Sequence, residues 1–120
     1  MAGELKTSKI KMGSMGEVID QIVSHIKDLI APQKVILFGS YGYGRPDEDS
    51  DIDLLIVFDV ESQSQRRQLQ KILRKNIPPL GIGKDFIIVT PKELESYKDI
   101  IGSVIYPAIH YGRVIYERRD

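Results

Sequence analysis

Apolar positions recur along this chain with two periods, and the alternation between them lays out its elements. From Met15 to Ile30 they fall at Met15, Val18, Ile19, Ile22, Val23, Ile26, Leu29 and Ile30, the stripe of an amphipathic helix buried on one side. Ser14 is placed to cap this helix and Pro32 to end it. Lys34–Phe38 reads as a short buried strand closed by Gly39-Ser40. Residues 41–50, rich in glycine, proline and acidic groups, read as a short helix or loop. Asp51–Asp59 is nearly continuously apolar, the pattern of a second buried strand. Ser62–Asn76 is a charged helix with a narrow stripe at Leu69, Ile72 and Leu73, and Pro78-Pro79 with two glycines makes the following loop. Lys84–Thr90 reads as a third strand with Asp85, Ile87 and Val89 on one face. Lys92–Tyr111 is predicted mostly helical and broken or kinked near Pro107, with Gly112 as its stop and Arg113–Glu117 as an edge strand. The order predicts an α/β (α+β) architecture, a small mixed β-sheet backed by helices.

Composition narrows the picture. The chain has 120 residues, 42% hydrophobic and 28% charged, which suits one globular domain over residues 15–120. Residues 1–14, polar and Lys-rich, are expected to form a flexible leader. Formal net charge is zero, so no direct nucleic-acid binding is expected. No apolar run approaches the roughly 20 residues of a membrane span, and there is no signal-peptide core. The absence of cysteine excludes disulfides and thiolate metal ligands and suits a cytoplasmic protein.

Candidate chemistry concentrates between Gly39 and Asp85. Gly39 lets a backbone approach a phosphate closely, and Ser40 adds a hydroxyl beside a helix start. Ten residues later come Asp51-Ile52-Asp53. On a strand, Asp51 and Asp53 project to one side while Ile52 and Leu54 project to the other. Two like charges held that close repel unless a cation compensates, and Mg²⁺ is held by one or two carboxylates plus substrate phosphates. If the third strand pairs beside the second, Asp85 joins them. Three carboxylates can hold two divalent ions, and the third can accept a proton from an attacking hydroxyl. Asp47 and Asp49 read as ordinary solvated residues, Arg45 as a loop arginine, and Tyr41 and Tyr43 as packing or surface residues. His25 and His110 have no second histidine at ligand spacing.

The run Phe38-Gly39-Ser40, a ten-residue spacer, then Asp51-Ile52-Asp53-Leu54-Leu55-Ile56-Val57 resembles the signature of the DNA polymerase β-like nucleotidyltransferase superfamily. The size and the closing Tyr111-Gly112-Arg113-Val114-Ile115-Tyr116-Glu117 look like its minimal, MntA-type members, and the resemblance runs from about Val18 to Glu117. Gly42 stands where many relatives have alanine, a small-for-small exchange. The resemblance implies a polymerase β-like fold, Mg²⁺ (two ions) and ATP as substrate. It implies that Gly39 and Ser40 hold the triphosphate, that Asp51 and Asp53 bind metal, and that Asp85 is a metal ligand or base. It further implies a partner, an all-helical HEPN-type toxin adenylylated on a tyrosine, with this chain as the antitoxin. Ile100, Ile101, Ile105, Tyr106, Ile109 and Tyr111 are a candidate partner surface or, equally, core. Two other readings stand beside the enzyme: a non-catalytic module that neutralises its partner by binding, and nucleotidyl transfer to a small molecule.

Overall fold

Strand alternation sorts the side chains of one central sheet into two cores. The computed structural model describes residues 14–47 and 49–119. In chain order the elements are α1 (Ser14–Ile30), β1 (Lys34–Phe38), α2 (Gly39–Tyr43), β2 (Ile52–Val57), α3 (Gln63–Asn76), β3 (Lys84–Val89), α4 (Pro91–Tyr97), α5 (Ile105–Tyr111) and β4 (Arg113–Glu117). The strands lie in the order β3-β2-β1-β4, with β1 antiparallel to both β2 and β4 and β2 parallel to β3. This is the mixed sheet the sequence predicts, and the β2–β3 connection uses α3 as a parallel crossover requires.

On one face Val35, Leu37, Ile52, Leu54, Ile56, Phe86 and Ile88 meet Ile19, Ile22 and Ile26 of α1 and Leu69 and Leu73 of α3. On the other, Ile36, Phe38, Leu55, Val57 and Val89 meet Ile105 and Ala108 of α5 and Leu94 of α4. A β-strand buried on both faces needs an apolar residue at every position, which is why β1 and β2 read as continuous runs.

Both sheet edges are protected. At β3, Arg66 Nη1 donates to the Ile88 carbonyl at 2.6 Å and Gln70 Nε2 to the Phe86 carbonyl at 2.9 Å, so α3 covers edge acceptors another strand would seek. At β4 the register jumps, Val35 facing Tyr116 and Ile36 facing Val114, so Ile115 is an extra residue that bends the edge.

Arg66 also forms a two-pronged ion pair with Glu93, both contacts at 2.9 Å. Glu93 completes a capping box with Thr90 at the start of α4. The Arg66 hydrogen bond is the main cause holding the Glu93 carboxyl below its ordinary range, with burial, the next largest influence, acting the other way. A depressed carboxyl pKa stabilises the fold above the unfolded value, about 4.3, and the contribution is lost as pH falls through the folded value. Glu93→Gln is therefore expected to cost about 1 kcal/mol at pH 7, discounted for the pair's partial exposure. Urea midpoints of the two proteins should converge as the pH falls through the depressed folded-state value of Glu93.

Several sequence expectations are corrected. The second strand spans Ile52–Val57, so Asp51 precedes it rather than opening it. The segment 92–111 is two helices separated by residues 98–104, and the break is not at Pro107. Pro107 lies in the first turn of α5, where its missing N–H has no partner to lose. Ile72 is exposed on α3, whose buried residues are Leu69 and Leu73. The partner stripe is split: Ile105 is core, Tyr106 and Ile109 are half-buried, and Ile100, Ile101 and Tyr111 are exposed. The leader, up to the start of α1, and the side-chain cap of Ser14 lie outside the described residues.

Candidate active site

Phe38 ends β1 opposite Asp53, and Asp53 in turn sits directly beside Asp85 in the parallel β2–β3 pair. Strand alternation therefore places Asp53 and Asp85 on the same face as Leu55, Ile87, Val57 and Val89, at the end where β1 stops and β2 and β3 begin. The conditional in the sequence reading, that the third strand must neighbour the second, is met with the two aspartates in register.

Each of the first two carboxylates leans against a glycine. Gly39 turns the chain out of β1 with φ +68°, and a Cβ there would run into Asp53 Oδ2. Gly83 sits against Asp51, whose Cγ would lie 2.8 Å from a Cβ at that position. The Gly83 carbonyl accepts from the Ile52 N–H at 2.9 Å, which extends the β2–β3 ladder to the residue beside Asp51. Lys84 Nζ ties down the preceding loop by donating to the Pro79 carbonyl at 2.6 Å and the Ile82 carbonyl at 2.9 Å. Desolvation lowers the Lys84 pKa in that position.

The site is electrostatically loaded. Burial, then the charge of Asp85, then that of Asp51 push the half-buried Asp53 carboxyl above its ordinary range. Asp85 and Asp51 are more exposed, and Arg74 Nη2 lies 3.7 Å from Asp85 Oδ1. Among the described residues no three His, Cys, Asp or Glu side chains are gathered into a ready metal cage. Asp85 has the Arg74 guanidinium as a neighbour instead. An all-oxygen donor set of two or three carboxylates, open to solvent on one side, fits Mg²⁺, which takes its remaining ligands from water and phosphate. The crowding of negative charge on Asp53 is what such a cation would relieve.

Ser40 lies in the first turn of α2, half-buried, its carbonyl accepting from the Arg45 N–H at 2.9 Å. Tyr41 is buried in the core that α1 and α3 also line, while Tyr43 is exposed and meets Tyr111 edge-on with ring centroids 6.2 Å apart. Asp47 closes its own loop: its Oδ1 accepts from the Asp49 N–H at 2.9 Å and from Ser50 Oγ at 3.1 Å. Arg45 is exposed. His110 stacks on Tyr106 and lies 3.4 Å from Asp99.

Gly42 has a reason beyond size. A Cβ there would sit 2.5 Å from the Leu37 carbonyl oxygen and 2.9 Å from its carbon, because α2 folds back onto β1. Gly42→Ala must push the two apart, and its urea midpoint should fall by the equivalent of about 2 kcal/mol. Neither Gly83 nor Arg74 was singled out by sequence. Gly81-Ile82-Gly83 ahead of an apolar run was a visible signal of close backbone approach, but what approaches it depends on the strand order.

A family model described as a nucleotidyltransferase domain matches residues 19–107, a span that includes Gly39, Ser40, Asp51, Asp53 and Asp85. The chain belongs to the nucleotidyltransferase domain family. Among solved structures, one similar chain is described as a toxin–antitoxin complex with AMP-PNP. It is 24% identical with a TM-score of 0.55, over 83% of this chain and 73% of that one. Another is described as a mutant of the toxin–antitoxin pair MntA-HpeT, 19% identical with a TM-score of 0.53 over the same shares. At these identities the likeness concerns the fold, and it agrees with a mixed sheet backed by helices. Comparison with curated proteins finds no match. Among the described residues no helix is long and apolar enough to cross a membrane.

Proposed function

We propose that this nucleotidyltransferase domain transfers AMP from ATP to a tyrosine of a partner protein, a HEPN-type toxin, and thereby acts as its antitoxin. The observation that carries the reading is the registered Asp53–Asp85 pair beside Asp51 and Gly39, an anionic cluster that a family of this chemistry would use. In this reading Asp51 and Asp53 hold Mg²⁺, and Asp85 is a further ligand or takes the proton of the attacking hydroxyl. When bound, Mg²⁺ supplies charge neutralisation for the triphosphate and for the departing pyrophosphate. Gly39, lacking a Cβ, leaves room beside Asp53 for the triphosphate, and Ser40 offers it a hydroxyl. The attacking oxygen forms a bond to the α-phosphorus as the bond to pyrophosphate breaks.

The toxin–antitoxin descriptions of the two structural neighbours, one with a triphosphate analogue, support the partner and the donor. The exposed side chains of Tyr97, Ile100, Ile101 and Val104, Ile101 at 77%, offer a protein partner an apolar landing area next to α5. The test is incubation with labelled ATP, Mg²⁺ and the product of the neighbouring gene. Label on that protein which disappears with Asp53→Asn supports the reading. Growth protection that persists in Asp53→Asn with no label transferred contradicts it and leaves neutralisation by binding alone.

A further inference from the structure

Three residues of α3 descend the edge of β3 like rungs. Arg66, Gln70 and Arg74 are four positions apart, so they share one side of the helix. The first rung binds the Ile88 carbonyl, the second the Phe86 carbonyl, and the third reaches Asp85. The upper two bonds, at 2.6 and 2.9 Å, fix the helix against the strand backbone. Helical spacing then delivers Arg74 to the carboxylate rather than leaving its place to chance. Among the described residues Asp85 alone of the three site aspartates has a cationic partner.

The contact is built to be broken. At 3.7 Å, with Arg74 56% and Asp85 55% exposed, it is a solvent-screened pair worth little on its own. Its place, however, is next to the carboxyl group that most needs charge relief, Asp53, which faces Asp85 across the β2–β3 pair. We propose that Arg74 is a positioning residue: it serves as the resident counter-ion of Asp85, and the divalent cation must displace it to engage that carboxylate. This inference rests on the metal-dependent reading above. Its consequence is a metal site held weak in the absence of substrate, since a fixed positive charge nearby opposes a second one.

Titrating the full-length protein with Mn²⁺ alone, by calorimetry or by the free-ion electron paramagnetic resonance signal, tests it. The wild type should bind Mn²⁺ and Asp53→Asn should lose that binding. Arg74→Met should bind Mn²⁺ more tightly, by about three- to tenfold, because a like charge has been removed. Arg74→Lys, keeping the charge, should stay within about twofold of the wild type. A residue that only braced the helix would lower the melting temperature without tightening metal binding. If the wild type binds Mn²⁺ and Arg74→Met binds it no more tightly, the role of Arg74 is overturned and the metal site stands. If neither the wild type nor Arg74→Met binds Mn²⁺, the metal-dependent reading falls and the inference with it.

Discussion

Asp53→Asn is expected to lower nucleotidyl transfer by about three orders of magnitude while leaving the melting temperature unchanged or slightly higher. The two effects have opposite signs because the residue serves the site at the fold's expense. Asp53 is half-buried at the end of the sheet, beside Asp85 in register and with Asp51 two residues away. Burial and both neighbours raise its pKa, so keeping it ionised at neutral pH opposes folding. Asparagine keeps the shape and removes the repulsion, but it also removes a charge that a cation and a triphosphate would need. Steady-state transfer assays alongside thermal melts of the same preparations check both halves. A large loss of stability would mean that Asp53 serves the core instead of the chemistry.

Gly39→Ala is expected to cost about 3 kcal/mol of stability and at least a hundredfold in transfer. Two separate penalties combine. With φ at +68°, Gly39 occupies the left-handed region, where an L side chain is strained by about 1–2 kcal/mol. Its new methyl would also collide with the Asp53 carboxylate. The two can be separated with Gly39→Asn, since asparagine tolerates left-handed backbone better but still carries a Cβ. That variant should recover part of the urea midpoint and little of the activity. Equal recovery of both would place the whole effect in the backbone.

Much of this arrangement was legible in the chain. Lys34–Phe38 and Arg113–Glu117 have the bounds their apolar patterns predict, because β1 is buried on both faces and β4 is cut off sharply by Gly112. The positions of Asp53 and Asp85 were legible individually, and their adjacency followed once the third strand was set beside the second. What could not be read was anything decided between elements. The gap at residues 98–104 breaks a pattern that looks helical throughout, since Ile100 and Ile101 keep an apolar period while being exposed. Asp51 falls outside β2, and its carboxylate rests against Gly83, the residue just before β3, a contact that exists only once the two strands are side by side. Arg74 looked like one basic residue among several on a charged helix. Only the packing of α3 against the β3 edge distinguishes it from Lys71 or Lys75.

The most direct test of the central claim is to supply ATP labelled either at the α-phosphate or at the γ-phosphate, with Mg²⁺ and the partner protein, and to follow which label becomes covalently attached. Attack at the α-phosphorus with loss of pyrophosphate predicts label on the partner from α-labelled ATP and none from γ-labelled ATP. Label from the γ-position, or from neither while the partner is still neutralised, would contradict it.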